Sequence, residues 1–195
     1  VDVKRVVQAA DAFLDALGVP LDDEARTATA RRVGELWCDL LSGESDDPSR
    51  YLNGGFGGEF HEMIAVNDIT FHSVCEHHLL PFYGKVSLCY LPGEAGLIAG
   101  ASNLTRVVEV VSKRLQIQER LSSQIAQAIE DGIGAAGVLV VVRGTHFCMT
   151  MRETKDTGSC LVTVASRGVL TSNSDLRREA RSLIMDDFRS DSDDL

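Results

Sequence analysis

A change in hydrophobic periodicity near residue 62 constrains the fold of this chain more than any other feature. Before it, apolar residues recur at helical spacing over residues 1–17 and about 22–42, which predicts two helices. After it, the segments EMIAVNDITFHSV and GKVSLCYLP alternate between apolar and polar residues, as half-buried β-strands do. We therefore interpret the chain as an α+β protein whose strands follow a helical N-terminal region.

Two further helices separate this pair of strands from a second pair. GASNLTRVVEVVSKRL and QERLSSQIAQAIEDGIG each carry one apolar face, with Ser102 as the expected N-cap of the first. VLVVVRG and CLVTVAS then predict strands, and a short helix is expected near 173–185. The predicted order is β-β-α-α-β-β. The predicted units are a helical extension ending in a Gly- and Ser-rich loop (1–60), a folded domain (61–188) and an acidic tail (189–195).

Composition excludes several classes of function. The 195 residues carry a net charge of −10, which argues against general binding to nucleic acids or anionic membranes. No apolar run approaches the roughly 18–20 residues of a membrane helix, and the N-terminus lacks the apolar core of a signal peptide. The five cysteines are an odd number without a disulfide pattern. We expect a cytoplasmic protein with reduced thiols.

The densest cluster of reactive side chains lies in SVCEHHLLPF, and GTHFCMTMRE supplies a second group. Cys75 and His78 are three residues apart at a predicted strand end, so both can face one point, and Cys148 follows a later strand. Thiolate and imidazole are preferred zinc ligands, and a catalytic zinc keeps three protein ligands and an open position for water. The sequence predicts such a site, with His77 and His146 left for proton transfer.

Other interpretations of these residues stay open at this point. A cysteine beside a strand is usually a small buried hydrophobe, which is the favoured interpretation of Cys38, Cys89 and Cys160. For Cys75 the adjacent acidic and imidazole side chains favour a functional role, because such groups are costly to bury. A structural zinc site would need a fourth thiolate or imidazole, and the sequence has no C-x-x-C pair.

Two more groups have the chemistry of a nucleotide site. Gln118 and Glu119 begin a predicted helix, and a carboxylate accepts two hydrogen bonds from a guanine edge. Arg106 and Arg152 have guanidinium groups suited to phosphate. The alternatives are a solvated helix turn and ordinary surface arginines.

Taken together, these segments resemble the GTP cyclohydrolase I family. The resemblance is carried by TARRVGELWCDLLSG, SVCEHHLLPFYGKVSLCYLP, LTRVVEVVSKRLQIQERLSSQIAQAI and HFCMTMR, and it spans about 25–185. It implies a tunnelling fold, in which a four-stranded antiparallel sheet carries two helices on one face. It also implies a homo-oligomer, typically a decamer of two pentamers, with active sites between subunits.

Matched by position, the resemblance implies zinc ligation by Cys75, His78 and Cys148 and catalytic roles for His77 and His146. Glu119, with Gln118 beside it, matches the residue that anchors guanine. Three further positions, Ser102, Arg106 and Arg152, match triphosphate contacts, and Arg32 resembles an arginine supplied by a neighbouring subunit.

The implied reaction hydrolyses the purine imidazole ring of GTP, releases C8 as formate and rearranges the remainder to 7,8-dihydroneopterin triphosphate. Zinc provides an activated water, and histidine suits the proton transfers because its ordinary pKa is ~6.5.

The sequence departs from the family pattern where phosphates are expected. Asn103 stands at the position of a usual lysine, and Glu153 at that of a usual glycine. These changes raise the alternatives of a less phosphorylated or modified guanine nucleotide, or of a reaction that stops after ring opening. A non-catalytic binding or assembly partner is a third hypothesis. A three-histidine zinc site like that of tetrahydropterin synthase is disfavoured, because the sequence has no H-x-H pair.

Overall fold

The structure is a computed structural model that describes residues 1–53, 55–151 and 158–185. Its helices are α1 (Val3–Ala16), α2 (Asp23–Leu40), α3 (Ala101–Ser112), α4 (Gln118–Ile133), α5 (Phe147–Thr150), α6 (Val169–Ser172) and α7 (Ser174–Met185). Its strands are β1 (Ile64–Cys75), β2 (Pro81–Leu91), β3 (Leu115–Gln116), β4 (Gly137–His146) and β5 (Leu161–Gly168).

The two N-terminal helices pack against each other, as the sequence predicts. Asp22 caps α2 by accepting a backbone N–H bond in its first turn. Arg26 on α2 donates to Asp11 on α1 with an Nε–Oδ1 distance of 2.7 Å. The helices approach closely at Gly34, where an added Cβ would lie 2.3 Å from the Val7 side chain. This helical extension is therefore an ordered pair.

The Gly- and Ser-rich loop predicted at the end of the helical extension contains more structure than expected. Pro48–Leu52 form a 3₁₀ helix, and Leu52 is only 1% exposed. Leu52 packs against α4, since a Cβ on Gly132 would lie 2.8 Å from its side chain. The prediction failed here because a single apolar residue among polar neighbours carries no periodic signal.

Among the described residues, the sheet has five strands in the order β3-β1-β2-β4-β5, whereas four were expected. The four long strands are antiparallel neighbours, in agreement with the prediction. The fifth, β3, has two residues and pairs in parallel with the end of β1. It is too short for an alternating pattern to reveal it. Ser102 also differs from expectation, because the N-cap of α3 is Gly100.

Helices cover both faces of the sheet, not one. The main core lies between the sheet and the pair α3 and α4, and includes Phe71, Phe82, Leu88, Val107, Leu121, Ile125, Val140 and Val142. A second cluster lies beneath α6 and α7 and comprises Cys89, Leu139, Val141, Leu170, Ala180 and Ile184. Consecutive residues of β4 thus enter different cores, which explains its unbroken apolar run VLVVV.

None of the five cysteines, all of which lie among the described residues, forms a disulfide. Cys89 is buried as predicted, and its burial raises the pKa of its thiol to about 11. Cys160 is exposed, so the expectation of a buried hydrophobe is wrong there.

In the described part of the chain, no helix is long and apolar enough to cross a membrane. The predicted boundary at 188 lies outside the described residues, and the cytoplasmic location stays a prediction.

Strand register brings two distant segments to one end of the sheet. Phe82 near the start of β2 lies opposite Ser73 on β1 and opposite His146 on β4. Cys75 follows Ser73 by two residues, and Cys148 follows His146 by two. Both predicted thiol ligands therefore lie at the same end of the sheet.

This register depends on close contact between β2 and β4 at Gly84. A Cβ at this position would lie 1.8 Å from the carbonyl oxygen of Arg143, which belongs to the backbone and cannot rotate away. We expect Gly84→Ala to lower the free energy of unfolding by about 3 kcal/mol, the upper end for overpacking. Denaturant unfolding at fixed protein concentration measures this.

Gly57→Ala is the matched control, because its Cβ would meet only a Leu97 methyl carbon at 3.9 Å. We expect it to change the free energy of unfolding by less than about 1 kcal/mol. Equal stabilities of the two variants would contradict the described register.

Candidate metal centre and active site

Cys75, His78 and Cys148 form a group of potential metal ligands. One ligand atom from each lies within 4.8 Å of those of the other two. Cys75 ends β1, His78 lies in the loop between β1 and β2, and Cys148 belongs to α5, directly after β4. Cys75 is buried, Cys148 is half-buried and His78 is exposed. The group is thus anchored in the core on one side and open to solvent on the other.

Backbone hydrogen bonds shape the loop that presents His78. The Cys75 N–H donates to the Leu80 carbonyl at 2.9 Å, and the Leu79 N–H donates to the Cys75 carbonyl at 2.9 Å. Leu79 adopts a left-handed conformation with φ of 56°, which is uncommon for a residue with a side chain. The tight turn lets Cys75 and His78 face the same point.

Arg120 holds this loop against the start of α4. Its guanidinium forms an ion pair with Glu76, between the two ligands of the loop, and donates to the Leu115 carbonyl at 2.7 Å and to Gln116 Oε1 at 3.0 Å. The sequence interpretation gave Arg120 no role. The sequence shows an arginine in QERL and a glutamate in CEHH, but their spacing along the chain does not indicate that Arg120 and Glu76 form an ion pair.

His146 lies at the end of β4 and is 7% exposed. Its ring stacks on Phe82 with centroids 4.5 Å apart and planes 8° from parallel. Its Nε2 atom lies 2.9 Å from Oε1 of Gln118. Burial lowers the pKa of His146 below its ordinary value, and the nearby Glu119 carboxylate opposes that shift. The neutral imidazole is therefore favoured at this position.

His77, the other predicted catalytic histidine, is exposed beside His78, with ring centroids 6.3 Å apart. Gln118 and Glu119 occupy the first turn of α4 but point differently. Gln118 is fully buried, whereas Glu119 is exposed. Glu119 is thus accessible to a ligand, while the Gln118 amide faces His146.

The residues predicted to contact phosphate are less closely grouped. Ser102 and Arg106 lie one turn apart on α3 and are exposed. Arg106 pairs with Glu109 at 2.7 Å, and its guanidinium lies 5.2 Å from the centroid of the Tyr51 ring.

Two other predicted phosphate contacts lie elsewhere. Arg32 is exposed on α2, in the N-terminal pair of helices. Arg152 lies outside the described residues, as does Glu153.

The donor set fits a metal ion. Two thiols and one imidazole converge, the thiols belong to segments fixed by the sheet, and the exposed side leaves room for a water or substrate atom. The Arg120–Glu76 ion pair joins the segment between Cys75 and His78 to α4. Fold and site together define an α+β protein with a three-ligand Cys-His-Cys centre at one end of its sheet.

Comparison with known proteins identifies the family. The GTP cyclohydrolase I family profile matches residues 6–185. The GTP cyclohydrolase 1 of Carboxydothermus hydrogenoformans is 45% identical over 94% of this chain and 95% of its own length. That of Streptococcus agalactiae serotype Ia is 42% identical over 93% and 96%. That of Dehalococcoides mccartyi strain BAV1 is 43% identical over 94% and 97%.

The chain belongs to the GTP cyclohydrolase I family. The predicted resemblance and the predicted enzyme class, a hydrolase of the GTP cyclohydrolase I type, are thereby confirmed.

The geometry predicts metal binding that depends on Cys148. We expect about one ion per chain in protein purified without chelator, and a metal content well below that in Cys148→Ser, because a serine hydroxyl is a poor substitute for a thiolate. Elemental analysis by mass spectrometry measures both.

Cys38→Ser is the matched control, since Cys38 lies on α2 outside the ligand group. It should retain the metal content of the unmodified protein. Equal metal content in Cys148→Ser would remove Cys148 from the site.

Proposed function

We propose that this protein hydrolyses the purine imidazole ring of GTP, releases C8 as formate and rearranges the remainder to 7,8-dihydroneopterin triphosphate, with zinc at the Cys75–His78–Cys148 group. One observation carries the proposal: in a chain of the GTP cyclohydrolase I family, these three ligand atoms lie within 4.8 Å of one another. The sequence motifs of the family are thus supported by a site with suitable chemistry.

Zinc suits this donor set better than harder cations do. Two thiolates and one imidazole are soft or borderline ligands, whereas magnesium and calcium prefer oxygen. When bound in such an open site, zinc supplies a water nucleophile with a pKa of ~7. The protein contributes the ligand geometry through the ends of β1 and β4, which both pair with β2, and through the Arg120–Glu76 ion pair.

We assign proton transfer to His77 and His146, two of the four histidines outside the metal group. His146 is buried and favours its neutral form, so it can accept a proton from a reacting group and return it. His77 is exposed in the loop that also carries His78. The imidazole pair offers one sheltered and one solvent-facing proton carrier near the metal group, which suits a reaction with successive ring-opening and ring-closing steps.

Glu119 is the group we assign to guanine recognition. Its carboxylate is exposed in the first turn of α4, next to the residue that binds His146. It can accept hydrogen bonds from N1–H and the 2-amino group of guanine. The purine would then lie with one edge on α4 and its imidazole ring toward the metal group.

Phosphate recognition is assigned to Ser102, Arg106, Arg152 and Arg32. Arg106 already has a carboxylate partner, Glu109, so a bound phosphate must compete with that ion pair. This competition and the neutral side chain of Asn103 favour a second candidate, in which the substrate is a guanine nucleotide with fewer phosphates. Rates with GTP, GDP, GMP and guanosine distinguish the two candidates, since a strong preference for GTP rejects the second.

The active site is proposed to form between copies of the chain, in a decamer of two pentamers. Within the described residues, β4 is the only strand that pairs with β5, and the β5 residues Val162 and Val164 are exposed. An open apolar edge of this kind favours pairing with another strand, and ring closure among copies would satisfy it. Arg32, on the helical extension, would then serve a neighbouring subunit.

The activity is tested by incubating zinc-loaded protein with GTP and measuring formate together with pterin fluorescence after oxidation. We expect stoichiometric formate and pterin. In Glu119→Gln, kcat/KM should fall about 10–100-fold, because a charge-assisted hydrogen bond contributes about 1.5–3 kcal/mol.

Glu130→Gln, farther along α4, is the control and should leave kcat/KM unchanged. Absence of formate with every guanine nucleotide would refute the proposed function. Unchanged kcat/KM in Glu119→Gln would refute only the role of that residue.

A further inference from the structure

The side chain of Gln118 makes a set of hydrogen bonds that does not involve substrate. Gln118 is the first residue of α4 and is fully buried. Its Nε2 atom lies 3.1 Å from the Val142 carbonyl, 2.9 Å from the Leu161 carbonyl and 3.3 Å from Thr163 Oγ1. Its other amide atom lies 2.9 Å from His146 Nε2. The amide therefore joins α4 to β4, β5 and His146.

These partners determine the orientation of the amide. Carbonyl oxygens can only accept hydrogen bonds, so the atom facing Val142 and Leu161 must be the –NH₂ group. The reverse orientation would place an amide oxygen about 3 Å from two carbonyl oxygens. The atom facing His146 is therefore Oε1, which can only accept.

The orientation of Gln118 in turn determines the proton on His146. Because Oε1 accepts, Nε2 of His146 must donate and carries a hydrogen. With that hydrogen on Nε2, Nδ1 is the ring nitrogen left to accept a proton. Stacking on Phe82 limits tilting of the ring, and the bond to Gln118 limits its rotation in the plane.

Gly144, which has no side chain, leaves space for the hydrogen bond between Gln118 and His146. A Cβ on Gly144 would lie 2.3 Å from Gln118 Oε1 and 3.6 Å from His146 Nε2. Any side chain at 144 would displace the amide oxygen from His146. Gly144 thus offers a second way to disturb the hydrogen bond without changing either partner.

We propose that Gln118 is a positioning residue for His146, and not a contact of the guanine base. It holds the imidazole as the Nε2–H tautomer, so that Nδ1 exchanges the proton with the substrate. This inference rests on the proposed function for its catalytic meaning. The tautomer itself can be tested without turnover.

The direct test is long-range ¹H–¹⁵N NMR of zinc-loaded protein labelled with ¹⁵N-histidine, with the His146 signals assigned by their loss in His146→Ala. We expect an Nε2 shift of protonated type and an Nδ1 shift of unprotonated type. In Gln118→Met and in Gly144→Ala the two shifts should move toward each other, as the second tautomer becomes populated. A hydrogen on Nδ1 alone in the unmodified protein would overturn the inference.

Steady-state kinetics with GTP test the consequence for turnover. Gln118→Met should lower kcat about 10–100-fold, as the loss of an orienting partner does, with KM nearly unchanged. It should cause no further fall in a His146→Ala background, because its effect acts through that ring. A raised KM with unchanged kcat, or equal falls in both backgrounds, would contradict the inference.

Gln127→Met is the matched control, because Gln127 is exposed on the same helix. It should leave kcat and KM unchanged. Metal content and the thermal unfolding temperature are measured for every variant. If Gln118→Met does not fold, the tautomer of the unmodified protein and the kcat of Gly144→Ala still decide the question. Absence of formate from the unmodified protein would refute the proposed function but leave the NMR result valid.

Discussion

Phe82 lies between Ser73 on one neighbouring strand and His146 on the other, and this register determines where the reactive side chains meet. The two thiols of the metal group are 73 positions apart in the chain (148 minus 75) and converge because β2 pairs with both β1 and β4. The metal group is thus a product of long-range strand pairing. A slip of either pairing by one residue would turn the strand residue Cys75 or His146 to the opposite face of the sheet.

Three consecutive residues at the start of α4 have different surroundings in the candidate site. Gln118 points inward to His146, Glu119 is exposed, and Arg120 forms the ion pair with Glu76 beside the ligands. A helix turns about 100° per residue, so neighbours in sequence reach different surroundings. One rigid element can therefore contact the proposed proton carrier His146, carry the proposed guanine contact Glu119 and hold the loop of Cys75 and His78.

Much of the fold could be predicted because periodicity reports which face of an element is buried. The four long strands, α3, α4 and α7 all have clear patterns, and the structure confirms them. Leu52 and β3 were missed because one buried residue and a two-residue strand are too short for a period. The packing of α6 and α7 on the second face of the sheet was also not predicted. A pattern of apolar residues shows that a face is buried, but not which element packs against it.

The sequence predicted the potential metal ligands, but not the contacts of Gln118 and Arg120. The types and spacing of Cys75, His78 and Cys148 indicated a metal group, because few other roles require two thiols and an imidazole together. The roles of Gln118 and Arg120 depend on which side chains they reach, and sequence spacing does not contain that information. The structure supplies it through the hydrogen bonds of Gln118 and the ion pair of Arg120.

Zinc K-edge X-ray absorption of the loaded protein tests whether the proposed metal centre is open, with two sulfur ligands and one imidazole. We expect two sulfur atoms at ~2.3 Å, a nitrogen at ~2.0–2.1 Å with the outer-shell pattern of one imidazole, and a fourth light atom from solvent. A sulfur count other than two, or a fourth protein ligand of the imidazole or thiolate type, would contradict it.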